Sequence, residues 1–256
     1  MASSMLVGNA QRHFTLSNSA DGQSEITVYL PSAELAAQSG GRVVVGCPGG
    51  GYSHLSMANE GHDWAEFFTS RGIAYVVLKY RMPGGDRNIP LSDAYNAIKT
   101  VRDSAAQWNI DAHKVGIMGF SAGGHLASTI ATHSKGDAAP NFQILFYPVI
   151  TMEAGVTHQG SRENLLGKKP KRKLLNEYCN EQHVTAATPR AFIILAHNDK
   201  SVSPLNSITY YEELCHHKVP TSLHIYPEGG HGFGILESFP NHYELMTELR
   251  EWLRSF

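Results

Sequence analysis

Short runs of uninterrupted apolar residues alternate along this chain with stretches whose apolar side chains recur at helical spacing. Val43-Val44-Val45 within Arg42–Cys47, Ile73–Tyr80, Val115–Phe120, Phe142–Val149, Ala191–Ala196 and Thr221–Tyr226 predict strands. Between them, Asn59–Gly72, with Trp64, Phe67 and Phe68 on one side, and Pro90–Asn109, with Ala94, Ile98, Val101 and Ala105 on one face, predict helices. Ile208–Val219 and Tyr243–Phe256 predict two more. Glu25–Leu30 alternates apolar and polar instead, as a half-buried strand does, and reads as the second arm of a hairpin turned at Asp21-Gly22. Strands that are apolar on both faces need cover on both faces. Their alternation with helices therefore predicts an α/β fold with a mainly parallel central sheet flanked by helices.

One stretch breaks this rhythm. Thr151–Thr185 is long and polar, and six Lys or Arg residues fall between Gly160 and Asn180. Its position predicts an insertion, residues 151–185, serving as a lid or binding loop. The basic run within it, Lys168–Lys173, reads as a solvated face. No internal repeat or low-complexity tract divides the chain, so residues 1–256 are expected to form a single domain.

Composition narrows the partners. The 256 residues are 42% hydrophobic and 17% charged, which suits a globular core, and the net charge of −2 gives no strong field. Neither nucleic acid nor an anionic membrane is an expected partner. Cys47, Cys179 and Cys215 are too few and too scattered for a disulfide framework or a Cys-rich zinc site. The 14 histidines show no metal-ligand spacing. Met1–Ala10 lacks a charged stretch followed by an apolar core, so no signal peptide is expected there. A cytoplasmic location and export after processing both stay open, as does the oligomeric state.

The chemistry is concentrated at the ends of predicted strands. Gly119-Phe120-Ser121-Ala122-Gly123 follows the apolar run Val115–Met118 and precedes the helix-like Gly124–Ser128. This is a G-x-S-x-G nucleophile elbow in a strand–turn–helix setting, which exposes a serine for attack on an acyl carbon. Such a serine needs a base, and the base needs a carboxylate to fix its tautomer. In chain order, Asp199 follows the strand ending at Ala196. His231 follows the strand ending at Tyr226, in the loop Gly229-Gly230-His231-Gly232-Phe233-Gly234. A single Asp or His in a turn is usually structural; three candidates past three strand ends, in this order, are not readily accidental. His125 is expected to pack away from the serine, and His197 to support Asp199. Cys47-Pro48-Gly49-Gly50-Gly51-Tyr52 abuts a buried strand, so the Gly50 and Gly51 amides, with that of Ala122, are expected to form the oxyanion hole. Tyr52 is the expected substrate-binding residue beside it.

Taken together, the chain resembles an α/β-hydrolase of the acetyl-xylan-esterase-like group, near the hormone-sensitive-lipase and arylformamidase branches. The residues that carry the likeness are Pro48–Tyr52 with His54-Leu55-Ser56, Tyr80-Arg81, the Gly119–Gly124 elbow with His125-Leu126-Ala127, Val184-Thr185, Asp199–Ser207 and Gly229–Gly234. There are departures. Asn198-Asp199 stands where relatives commonly carry two Asp residues, Val202-Ser203 where they carry Val-Pro, and Cys47 where the lipase branch has His. The second position of the Asp pair holds the catalytic acid, so the resemblance assigns that part to Asp199. It implies a serine esterase that removes small acyl groups, acetyl above all, from carbohydrate esters such as acetylated xylan fragments, with no metal or organic cofactor. An arylformamidase or a general short-chain carboxylesterase shares every catalytic part. A peptidase and a non-catalytic binding domain fit less well, the latter because Ser, His and Asp are all present.

Overall fold

The apolar runs become strands of one eight-stranded sheet in the computed structural model, which describes residues 12–256. The reading of Met1–Ala10 lies outside the described residues. The strands are β1 (Arg12–Ser17), β2 (Glu25–Leu30), β3 (Val43–Cys47), β4 (Ala74–Lys79), β5 (Val115–Phe120), β6 (Phe142–Phe146), β7 (Arg190–Ala196) and β8 (Thr221–Tyr226). Their order across the sheet is β1-β2-β4-β3-β5-β6-β7-β8. β1 and β2 form the expected hairpin, which joins β4 antiparallel; every pairing from β4 to β8 is parallel.

Nine α-helices are present among the described residues: α1 (Ala33–Ser39), α2 (Ala65–Thr69), α3 (Asn88–Asp103), α4 (Ala105–Trp108), α5 (Ser121–His133), α6 (Gln159–Leu166), α7 (Arg172–Glu177), α8 (Leu205–His216) and α9 (His242–Arg254). Successive side chains of a strand point to opposite faces, and the core divides accordingly. Val43, Val45 and Ile117 pack with Ala94, Ile98 and Val101 of α3, Leu126 and Ile130 of α5, and Leu214 of α8. Val44, Met118 and Phe120 pack on the other face with Phe67 and Phe68 of α2 and Leu245, Leu249 and Leu253 of α9. The helices thus cover both faces, as the apolar strands require.

Two expected helices come out shorter. The Asn59–Gly72 pattern becomes a 3-10 turn, His62–Trp64, followed by the five residues of α2. Its first part is drawn out of helical register: a Cβ on Gly61 would meet the Met57 carbonyl oxygen at 2.3 Å. The Pro90–Asn109 pattern splits at Ser104 into α3 and α4, and Asn109 closes α4 in the left-handed region at φ 56°. α1, α6 and α7 carry too little periodicity to be read from sequence. The polar stretch 151–185 contains α6, α7 and a short 3-10 turn, and Lys168, Lys169, Lys171, Arg172 and Lys173 of its basic run are solvent-exposed. No helix among the described residues is long and apolar enough to cross a membrane.

Candidate active site

The C-terminal ends of β3, β5, β7 and β8 bring the site together. β5 ends at Phe120 in extended conformation, and the chain then turns through Ser121, which sits at φ 52°. Positive φ is costly for any residue with a Cβ, and here it lifts the serine out of the strand-to-helix turn. The two flanking glycines are steric requirements of that turn. A Cβ on Gly119 would lie 2.2 Å from the Gly123 carbonyl oxygen, and one on Gly123 would lie 2.1 Å from the Cys47 carbonyl oxygen. The elbow helix can therefore pack directly on the end of β3.

Ser121 Oγ lies 2.9 Å from His231 Nε2, and His231 Nδ1 lies 2.7 Å from Asp199 Oδ2. The other carboxylate oxygen of Asp199 accepts the backbone N–H groups of Ser201 at 2.8 Å and Val202 at 2.9 Å. With both oxygens engaged and the residue buried, the carboxylate has one orientation, and it fixes the proton of His231 on Nδ1. Nε2 is then free to accept the serine hydroxyl proton. Asn198 Oδ1 accepts Gly230 N–H at 2.8 Å and ties the histidine loop to the end of β7. That contact accounts for the polar side chain beside Asp199. His197, expected to support Asp199, is instead exposed; only its backbone is engaged, donating N–H to the Tyr226 carbonyl at 2.7 Å.

The glycine loop after β3 approaches the same serine. Gly49 donates its N–H to Glu60 Oε2 at 2.9 Å, which leaves Gly50 and Gly51 as the glycines whose amides can meet an oxyanion. Gly50 has φ 134° and Gly51 φ 64°, backbone conformations that residues with a side chain seldom adopt. Ala122 follows Ser121 in the first turn of α5, where backbone N–H groups have no intrahelical acceptor.

Tyr52 requires a correction. It does not line the site: it is 2% exposed, packs edge-on against Tyr80, and its hydroxyl lies 3.0 Å from His125 Nδ1. His125, expected to pack away from the serine, does so. Its Nε2 lies 2.9 Å from the Tyr178 carbonyl oxygen, which places the ring proton there and makes Nδ1 the acceptor for Tyr52. Burial lowers the His125 pKa to about 4, so the ring is neutral.

Sequence reasoning missed His158, Glu60 and Tyr147. His158 precedes α6, where its Nδ1 accepts the Ser161 N–H at 3.2 Å. Its ring reaches the glycine loop, with Cε1 3.7 Å from where a Gly51 Cβ would stand. Asn164 of α6 donates to the Gly51 carbonyl at 2.8 Å, so the 151–185 stretch packs directly on this loop. Burial lowers the His158 pKa, and the nearby His231 adds to that effect. Glu60 lies within a helix-like polar pattern and looks solvated in sequence, yet it is 4% exposed. Tyr147 looks like the continuation of a buried strand; instead the chain leaves β6 there at φ 35°. Among the described residues, no group of three or more His, Cys, Asp or Glu side chains is placed to hold a metal ion.

A strand–serine–helix elbow after β5 of a mainly parallel sheet, with an Asp loop after β7 and a His loop after β8, defines an α/β-hydrolase. Residues 26–214 match the BD-FAE family, and the chain belongs to it. It is 45% identical over 248 residues to an acetylxylan esterase of Xylanibacter ruminicola, covering 95% of this chain and 51% of the relative. It is 34% identical over 203 residues to endo-1,4-beta-xylanase B of Butyrivibrio fibrisolvens, covering 73% of this chain and 32% of that protein. The chain thus spans about half the length of the first relative and about a third of the second. The crystal structure of an acetyl ester-xyloside bifunctional hydrolase from Caldicellulosiruptor lactoaceticus superposes with a TM-score of 0.88 at 29% identity, covering 97% of this chain and 98% of that one.

Proposed function

We propose that this chain is a serine esterase that removes small acyl groups, acetyl foremost, from carbohydrate esters such as acetylated xylan fragments. The observation that carries the reading is the single hydrogen-bonded line from Ser121 through His231 to Asp199. The likeness to an acetylxylan esterase supports the substrate class.

The geometry supports the following steps. His231 Nε2 takes the proton of the Ser121 hydroxyl as Oγ bonds to the ester carbonyl carbon. The carbonyl oxygen gains the negative charge and meets the amides of Gly50, Gly51 and Ala122. The imidazolium passes its proton from Nε2 to the departing sugar oxygen, and the C–O bond breaks. Asp199 stabilises the charged ring without taking its proton. Water then enters, gives a proton to His231 and attacks the acyl-enzyme. The carboxylic acid leaves and Ser121 recovers its proton.

The deciding experiment measures acetate release from acetylated xylo-oligosaccharides by the wild-type protein and by Ser121→Ala. The wild type should release acetate, and the variant should lose about 10⁶ in kcat, as deletion of a triad nucleophile does elsewhere. A serine-directed organophosphonate should label Ser121. Labelling at another serine overturns the assignment. Turnover of N-formylkynurenine without acetate release moves the reading to arylformamidase chemistry.

A further inference from the structure

Glu60 is a buried carboxylate that the reaction steps leave unused. Its Oε2 accepts the N–H of Gly49 at 2.9 Å and its Oε1 accepts the hydroxyl of Tyr147 at 2.7 Å. The Tyr147 oxygen in turn accepts the N–H of Gly234 at 2.9 Å. The Tyr147 ring stands 4.7 Å, centroid to centroid, from the His231 ring. One unbroken line therefore joins the glycine loop after β3 to the histidine loop after β8, although β5, β6 and β7 lie between those strands in the sheet.

The arrangement is expensive. Burial pushes the Glu60 carboxyl above its ordinary range, opposed by the bonds from Tyr147 and Gly49. Tyr147 is held at φ 35°, a region that a residue with a side chain seldom adopts. Neighbouring Asn59 also reaches across, donating to the Gly232 carbonyl at 2.9 Å, but it does not reach Gly49. Glu60 does, and it does so beside the nucleophile: a Cβ on Gly49 would lie 2.6 Å from Glu60 Oε2 and 3.0 Å from Ser121 Cβ. A buried carboxyl and a strained tyrosine joined in this connection point to geometry as its purpose.

We propose that Glu60, acting through Tyr147, is a positioning residue that sets the oxyanion loop and the His231 loop at their working separation. The proposal rests on the serine-esterase reading above. Oxyanion donors and base act on one tetrahedral centre, so an error of about 1 Å between them costs about 100-fold in rate. Glu60→Gln keeps the volume but not the pattern. Its amide either points N–H at the Gly49 N–H or leaves the Tyr147 proton without an acceptor. Tyr147→Phe keeps the ring against His231 and removes both bonds of the hydroxyl.

The test measures kcat and KM for 4-nitrophenyl acetate in wild type, Glu60→Gln, Tyr147→Phe, the double variant and Ser121→Ala, with a thermal unfolding curve for each. Each single variant should lose about 10- to 100-fold in kcat with KM within about twofold, because the misplacement is felt in the transition state. The double variant should fall no further than the worse single, since both break the same line. A folded Tyr147→Phe with kcat within twofold of wild type overturns the proposal, as do losses that multiply in the double variant. If Glu60→Gln does not fold, Tyr147→Phe decides the question alone. Turnover by Ser121→Ala would instead defeat the esterase reading. A silent Ser121→Ala beside a fully active Tyr147→Phe defeats only the part given to Glu60.

Discussion

Asp199 shows how much of a site rests on a single side chain. One oxygen is fixed by two backbone N–H groups and the other by His231. Asp199→Asn keeps the shape and can still accept from Ser201 and Val202, so the variant should fold. Its amide cannot hold the proton on His231 Nδ1, and kcat for acetate release should drop about 10⁴-fold. Near-wild-type turnover would send the search to another carboxylate. Ser121, Asp199 and His231 stand out in the sequence as candidates because each follows the end of a predicted strand, and strand ends are easy to find from the pattern of apolar residues. Tyr52 was misplaced for a related reason. An aromatic beside three glycines looks exposed, and only the fold reveals that a buried imidazole accepts its hydroxyl. Glu60 was invisible because its two donors come from Gly49 and from Tyr147, 87 positions away.

Among the elements, α5 carries two kinds of dependence at once. Its first residue is Ser121, and its fifth, His125, is fully buried between Tyr52 and Tyr178. The folded protein holds that ring neutral, with a pKa lowered to about 4 from an ordinary 6.5. The unfolded chain binds the proton near pH 6.5; the folded chain refuses it until about pH 4. The contribution of this residue is therefore full above about pH 6.5 and is lost as pH falls towards 4. The loss amounts to about 3 kcal/mol, at about 1.4 kcal/mol per pKa unit. Urea unfolding at pH 7 and pH 4.5 should show a steeper fall in stability for wild type than for His125→Gln, whose amide does not titrate. Equal slopes would mean that the ring is protonated in the folded state. Element type was readable wherever apolar runs or 3.6-residue spacing were strong, as in β3 to β8, α3 and α9. It failed in α6 and α7, which are short and mostly polar and bury only Leu165, Leu166 and Leu175 in the core, too few positions to show a helical stripe.

For the whole molecule, the sheet fixes which ligands can approach. The 151–185 stretch brings His158 and Asn164 to the glycine loop and keeps its lysines outward. A long acyl chain needs a continuous apolar trough, which the polar side chains His158 and Asn164 at the glycine loop do not provide. In a 4-nitrophenyl ester series, kcat/KM should therefore be highest at acetate and fall well before octanoate. A maximum at octanoate would require a hydrophobic acyl path and a lipase-like reading.

The site also has an uneven foundation. The glycine loop leaves β3, in the interior of the sheet, whereas the histidine loop leaves β8, at its edge. Edge strands open locally at lower cost than interior ones. Under mild denaturant His231 should thus drift from Ser121 while most of the sheet is still paired. Turnover is then a stricter gauge of nativeness than secondary-structure content, and a preparation with an intact far-ultraviolet spectrum can already be inactive.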